Sequence, residues 1–313
     1  MRTTSPDLRV DLCRVRLPNP LVLASGILGT SAQLLERVAR CGAGAVTTKS
    51  CGPVPRTGHP NPTVIDWGHG LINAVGLPNP GVEAEVEIIA VARELLAPLG
   101  VPLIASIFAD TVAGFAAVAE RISAARPDLI EINISCPNVA AELGRPFALD
   151  AVSAAQVTAA VRAATELPII VKLSPNVTDI VAIARAVEGA GADAIAAINT
   201  LGPGMVIDVE SGRPILANRV GGVSGPAIRP IAVRCVYDIC TAVNVPVVGI
   251  GGVSCGRDAV EMLMAGATAV GVGSAVYRGG PEVFGRIRDE LAEWMSAHGY
   301  TSLSDFRGIA HER

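Results

Sequence analysis

Aromatic residues make up only 3% of the 313 positions, so the core of this chain has to be built from Val, Ile, Leu and Ala. That palette suits buried parallel strands covered by helices. Charged residues are also sparse, at 17%, and no run of Lys and Arg concentrates them. With a formal net charge of -4, this speaks against nucleic acid or an anionic membrane as partner, since both need a concentrated positive surface. A small-molecule substrate is the expectation that remains. No stretch reaches the roughly 18 uninterrupted apolar residues of a membrane span. The opening MRTTSPDLRVDLCRVRL scatters Asp and Arg where a signal peptide would need an apolar core, so a soluble, cytoplasmic protein is expected. Seven cysteines (13, 41, 51, 136, 235, 240 and 255), odd in number and without a CxxC pair, read as reduced thiols. Zinc or iron–sulfur spacing is missing, so no metal is expected and any redox cofactor on this chain should be organic.

What the chain does have is alternation. Short apolar runs rich in β-branched residues alternate with Ala/Glu/Arg stretches of helical period, the pattern of βα units in a parallel sheet. Eight such runs occur: Leu21–Ala24, Ala45–Thr48, Leu103–Ser106, Leu129–Ile132, Ile169–Leu173, Ala194–Ile198, Val247–Ile250 and Ala269–Val272. Helices are predicted at about 31–40, 82–97, 111–125, 150–165, 178–190, 228–243, 257–265 and 281–297. Asp150 and Asp179 stand at helix starts, and Gly42, Gly191 and Gly266 follow last turns. Eight units close a (β/α)8 TIM barrel, read as one domain over residues 1–313. The alternative, an open doubly wound sheet, would more often carry GxGxxG after its first strand, and Leu21–Gly29 lacks it. Two connections are too long for turns and are predicted as insertions at the C-terminal rim. Residues 50–81 are rich in Gly, Pro and Asn; residues 199–227 carry a hairpin pattern, MVIDVESGRPILAN, turning at Ser211-Gly212.

In such a barrel the active site is built at the C-terminal strand ends. The residues leaving the strands are polar: Ser25, Lys49, Ser106, Asn133, Lys172 and Asn199, then Gly251-Gly252 and Gly273-Ser274. The glycine pairs after the seventh and eighth strands are either tight turns or the usual barrel phosphate site, with Gly225 able to add a further N–H. Lys172 admits three readings: a fixed charge facing an anion that develops on a ring, a Schiff-base amine, or a lysine closing a rim salt bridge. Lys49 admits the same three. Directly after the fourth strand, Asn133-Ile134-Ser135-Cys136-Pro137-Asn138 puts a thiol between two amides on a loop above the barrel mouth. An inert buried thiol suits Cys13, Cys235 or Cys255 better than Cys136. His59 and His69 read as solvated loop histidines, with contact to substrate or partner as the rival reading.

The segments TTKS (47–50), NAVGLPNPG (73–81), NISCPN (133–138), VKLSPN (171–176), INTLGPG (198–204), GGVSGPAIRPIAVR (221–234) and GIGGVS (249–254) occur in this order over nearly the whole chain. In them the sequence resembles the dihydroorotate dehydrogenases. Cysteine rather than serine at position 136 is similar to the soluble class, and the wording of NAVGLPNPG and GGVSGPAIRP to its NAD-linked subclass more than the fumarate-linked one.

The resemblance implies that FMN is held by Ser25, Lys49, Ser50, Asn133, Lys172, Ile198, Gly225, Gly251, Gly252, Gly273 and Ser274. It assigns dihydroorotate or orotate to Lys49, Asn73, Ala74, Val75, Gly76, Leu77, Asn133, Asn138, Asn199 and Thr200. Ser106 stands where the family commonly has asparagine, and is kept as a weaker flavin contact; Ser274 stands where threonine is frequent. The implied reaction is oxidation of dihydroorotate to orotate in de novo pyrimidine (UMP) synthesis, with Cys136 as base for the C5 proton, FMN taking the C6 hydride, and Lys49 and Lys172 completing the catalytic set. In the NAD-linked subclass a second subunit carries FAD and a 2Fe–2S cluster and passes electrons to NAD+, so a homodimer or heterotetramer is implied. The other readings are the fumarate-linked enzyme, an FMN oxidoreductase of another dihydropyrimidine, a Lys-dependent phosphosugar aldolase or isomerase, and a non-enzymatic flavin-binding barrel.

Overall fold

The computed structural model describes residues 5–134 and 147–311. In chain order, a hairpin of β1 (Val10–Leu12) and β2 (Val15–Leu17) precedes β3 (Leu21–Leu23), α1 (Ala32–Arg40) and β4 (Val46–Thr47). A second hairpin, β5 (Val64–Asp66) and β6 (Leu71–Asn73), follows, then α2 (Val82–Leu96), β7 (Leu103–Ile107), α3 (Val112–Ser123) and β8 (Leu129–Asn133). Next come α4 (Ala151–Ala164), β9 (Ile169–Leu173), α5 (Ile180–Gly189) and β10 (Ala194–Ala197). The second long insertion holds β11 (Leu201–Gly204), β12 (Ile207–Asp208), β13 (Arg213–Pro214) and β14 (Gly221–Ser224). The chain ends through α6 (Arg229–Ala242), β15 (Val247–Ile250), α7 (Gly256–Met264), β16 (Ala269–Val272), α8 (Ala275–Gly279) and α9 (Val283–Ala297).

The eight predicted strands are all present and form one parallel sheet in the order β3-β16-β15-β10-β9-β8-β7-β4. Its two ends meet: Val22 and Ala45 bridge in parallel, and Leu23 N donates to Ala45 O at 2.9 Å. The sheet is therefore a closed (β/α)8 barrel. Every residue of β7 (LIASI), β8 (LIEIN) and β9 (IIVKL) is buried, as expected of strands packed on both faces. This is why their sequences read as near-continuous apolar runs. The β1–β2 hairpin closes the N-terminal end, with Leu12 and Leu17 fully buried and Cys13 Sγ donating to Asp193 O just before β10.

The helices start where local chemistry says they should. Ser31, Thr111, Asp150 and Asp179 each accept a backbone N–H of the first turn of α1, α3, α4 and α5. Gly42, Gly191 and Gly266 close helices at φ of 106°, 99° and 105°, the left-handed region that glycine enters without strain. The two insertions are not separate elaborations. β5 and β6 from the first pair with β14 and β11 from the second into one antiparallel sheet, ordered β11-β14-β6-β5, with Asn73 opposite Gly222. The expected turn at Ser211-Gly212 joins the small β12–β13 ladder.

Among the described residues, one carboxyl buried away from the cavity lacks a full set of partners. Glu85, in the first turn of α2, is 1% exposed and its Oε1 has no hydrogen-bond partner. Burial pushes its carboxyl up to about 7, against the opposing hydrogen bond of Thr48. An unfolded glutamate titrates near about 4.3. Between those two values the folded chain holds a proton that the unfolded chain has released, so stability falls as pH rises through this window. Glu85→Gln removes the dependence. In urea unfolding the variant should be more stable than the parent by on the order of 3 kcal/mol near pH 8, and the gap should close near pH 4.

Candidate active site

A cavity of about 430 Å³ opens at the C-terminal ends of the barrel strands. Its floor is made by the residues that leave those strands: Ser25 after β3, Lys49 and Ser50 after β4, Asn133 at the end of β8, Lys172 in β9, and Asn199 after β10. Lys49 and Lys172 are the chain's two lysines, against 23 arginines in a total of 25 basic residues. Both are buried, at 7% and 4% exposure.

The polar groups of the floor are joined to one another. Lys172 Nζ donates to Ser25 Oγ at 2.9 Å and lies 3.8 Å from Glu131 Oε1. This ion pair is inside the barrel rather than at its rim. It suits a fixed charge, whereas a Schiff-base nucleophile needs a free amine. Lys49 Nζ reaches Gly26 O at 3.5 Å. Asn199 Nδ2 donates to Asn133 Oδ1 at 3.4 Å, and Asn199 Oδ1 accepts from Thr200 N at 2.7 Å. Thr200 Oγ1 is buried in the cavity wall without a hydrogen-bond partner. A Cβ on Gly222 would lie 2.1 Å from it, so only glycine leaves it room.

At one end of the cavity the glycine turns converge. Gly251, Gly252, Gly225, Gly273 and Ser274 all line it. A Cβ on Gly252 would meet Gly225 O at 2.7 Å, and one on Gly225 would approach Ser274 Oγ at 3.6 Å, so the three turns are in contact. Asp258, at the start of α7, accepts from Ser254 N, Ser254 Oγ and Cys255 N at 2.8–3.1 Å and pairs with Arg229, which ties the Gly251-Gly252 turn to α6. The sequence named the glycines and missed this carboxylate.

The upper wall comes from the first insertion. Asn73, Val75, Gly76 and Leu77 line the cavity together with Ile198 and Thr200. Three side chains hold this wall from behind. Arg56 Nε donates to Gly76 O at 2.7 Å, and His59 Nδ1 lies 3.1 Å from Ala74 O. Asn79 accepts from Gly52 N and Gly81 N at 3.1 and 2.9 Å and donates to Leu77 O at 2.9 Å. His59 is thus half-buried against the wall, not a solvated loop histidine, while His69 is exposed and stacks edge-on with Trp67.

Two expected contacts are displaced. Ser106 is fully buried beneath Ser50 and is not among the residues lining the cavity; its Oγ is spent on Ser50 and Glu131. A serine is too short to reach past Ser50 where an asparagine would extend further. Ala74 is also fully buried, its side chain turned to a small cluster with Ile72 and Leu216. Cys136 and Asn138 lie outside the described residues. Glu131 was overlooked, although a charge inside LIEIN, an otherwise apolar barrel strand, was a visible signal.

The site brings converging glycine turns to one end, two buried lysine side chains and two amides to the floor, and the unmet Thr200 hydroxyl to the wall. Asn79→Ala should leave the barrel folded, cost about 1–3 kcal/mol, and accelerate amide exchange in peptides spanning 52–81, as hydrogen–deuterium exchange would read directly.

The family model described as dihydroorotate dehydrogenase matches residues 7–295. Relatives named dihydroorotate dehydrogenase B (NAD(+)), catalytic subunit, include one from Methanothermobacter thermautotrophicus, 47% identical over 305 residues, covering 97% of this chain and 99% of the relative. One from Methanosarcina mazei is 49% identical over 307 residues, 97% and 96% of the two chains. Another, from Pyrococcus horikoshii, is 44% identical over 303 residues, 97% of each.

Proposed function

The chain belongs to the dihydroorotate dehydrogenase family, and from that membership we propose that it is the catalytic subunit of an NAD+-linked enzyme oxidising dihydroorotate to orotate. The observation that carries the reading is the meeting, around one cavity, of Ser25, Lys49, Asn133, Lys172 and Asn199 from five strand ends with the glycine turns after β15 and β16. The names of the relatives favour NAD+ over fumarate as acceptor. They also favour a separate electron-transfer subunit, for which FAD and a 2Fe–2S cluster are the proposed carriers. Pyrimidine synthesis in the cytoplasm is the proposed setting, and one barrel domain the proposed unit, as homodimer or heterotetramer. Among the described residues no helix is long and apolar enough to cross a membrane.

The residues present fit FMN. Gly225, Gly251 and Gly252, each too crowded for a Cβ, converge with Gly273 and Ser274 into a cradle for a phosphate dianion, and the floor offers donors suited to a flat, polar ring. Ser25, Ser50, Asn133, Lys172, Ile198, Gly225, Gly251, Gly252, Gly273 and Ser274 would hold it. When bound, FMN supplies a two-electron acceptor for the hydride from C6 of the substrate. Cys136, as thiolate, takes the proton from C5. Lys172 supplies a fixed positive charge against negative charge that builds up as electrons arrive. Lys49 faces the substrate carboxylate, and Asn73, Asn133, Asn138, Asn199 and Thr200 pair its imide edges, Thr200 with a hydroxyl otherwise left unsatisfied.

The purified protein should be yellow, and its flavin absorbance should bleach anaerobically with dihydroorotate; NAD+ plus the partner subunit, and not fumarate, should restore it. A colourless protein, or one that borohydride traps to a substrate through Lys172, would overturn the reading. Cys136→Ala should retain flavin but slow its reduction by about 10²–10⁴-fold in single turnovers. In the parent that rate should rise with pH until the thiolate saturates, an ordinary thiol titrating near about 8.5.

A further inference from the structure

Beneath the cavity floor a line of hydrogen bonds ends on a buried carboxylate. Ser106 Oγ donates to Glu131 Oε1 at 2.8 Å and lies 2.8 Å from Ser50 Oγ, which accepts from Asn133 Nδ2 at 3.0 Å. Glu131 is 4% exposed and is the ion-pair partner of Lys172.

The chemistry of these groups allows the line to run in one sense only. An ion-paired carboxylate carries no hydrogen and can only accept, and a serine hydroxyl has a single hydrogen to give. Ser106 commits its hydrogen to Glu131. The bond between the two serines must therefore use the hydrogen of Ser50. Having given it, Ser50 can only accept, so Asn133 must present its amide nitrogen to it. The carbonyl oxygen of Asn133 then faces Asn199, whose own Nδ2 donates to it at 3.4 Å, leaving Asn199 Oδ1 to accept from Thr200 N at 2.7 Å. The acceptor-only carboxylate at one end and the donor-only Thr200 N–H at the other thus agree on which end of each of the two amides faces which way.

We infer that Glu131 is a positioning residue that acts through Ser106 and Ser50 to set the hydrogen-bond polarity of Asn133 and Asn199 in the cavity floor. The inference rests on the proposed dihydroorotate activity. A substrate with an imide edge presents donors and acceptors in a fixed pattern, and a floor whose amides flip matches that pattern only part of the time. Affinity falls by the fraction of chains in the matching state. Ser106, too deep to line the cavity, acquires its purpose here: it relays one hydrogen bond from the barrel interior to the floor.

The test is a double-mutant cycle on the FMN-loaded protein with Glu131→Gln, Ser106→Ala and the two combined. The readouts are orotate dissociation constants, from perturbation of the flavin spectrum, and thermal unfolding midpoints. Glutamine can donate as well as accept, which releases the sense of the relay; alanine at 106 cuts it while leaving the Lys172–Glu131 pair intact. Each single variant should lose about tenfold in orotate affinity, the scale of one misdirected hydrogen bond. The double should lose no more than either single, as for residues on one path. Should Glu131→Gln fail to fold, Ser106→Ala alone decides: an orotate affinity about tenfold lower at an unchanged unfolding midpoint supports the relay, and an unchanged affinity overturns it.

Normal affinity in Ser106→Ala beside weakened binding in Glu131→Gln would overturn the relay, because Glu131 would then act by charge alone. Additive losses, or lowered midpoints with unchanged affinity, would overturn it as well. A parent protein that binds neither FMN nor orotate would overturn the functional reading and this inference together, whereas a parent that binds both beside unaffected variants overturns this inference alone.

Discussion

The seam between β3 and β4 is where the eight-stranded sheet closes on itself, and the rest of the molecule depends on that closure. Gly44 N donates to Leu21 O at 2.7 Å there, and a Cβ on Gly44 would fall 1.9 Å from Asn19 O, so the backbones approach as only glycine permits. Once the parallel sheet is a ring, all its strands end on one side. Residues widely separated in sequence, such as Ser25 and Lys172, then come within 2.9 Å of each other. An open sheet of the same strands would spread these ends along an edge.

Closure also explains how charge survives inside an apolar barrel. Lys172 and Glu131 sit on neighbouring strands, with Asn133 and Lys172 paired in register, so the ammonium and carboxylate face each other in the barrel interior. Burying either alone would cost several kcal/mol. Together they anchor a polar floor on which hydroxyls and amides have their directions imposed from below, while the β5–β6 and β11–β14 insertions supply the wall above. Barrel and cap meet at Thr200, whose unmet hydroxyl has room because Gly222 beside it carries no side chain.

Much of this was legible in the chain itself. The eight strands follow from the apolar runs, with Ile169–Leu173, Val247–Ile250 and Ala269–Val272 found at the boundaries expected. Strand ends could be read because period and composition locate them, and the two lysines, both at such ends, marked the floor. Less legible was depth. Ser106 and Asn133 both come at strand ends, yet one lies under the floor and the other in it. Side-chain length and the tilt of each strand decide that difference, and neither is written in a hydrophobic pattern.

Local chemistry alone determined the units: which segments become strands, which residues cap helices, and which reactive side chains stand where strands stop. These depend on contacts a few positions apart, which the sequence carries directly. Tertiary structure alone decided that the two insertions share a sheet, with Asn73 opposite Gly222, and that Glu131, Ser106, Ser50 and Asn133 form one directed line. Asn73 and Gly222 are 149 residues apart. No local period links such positions; only the ring of strands brings them within hydrogen-bonding distance, and only there does the acceptor-only carboxylate impose its direction on the rest.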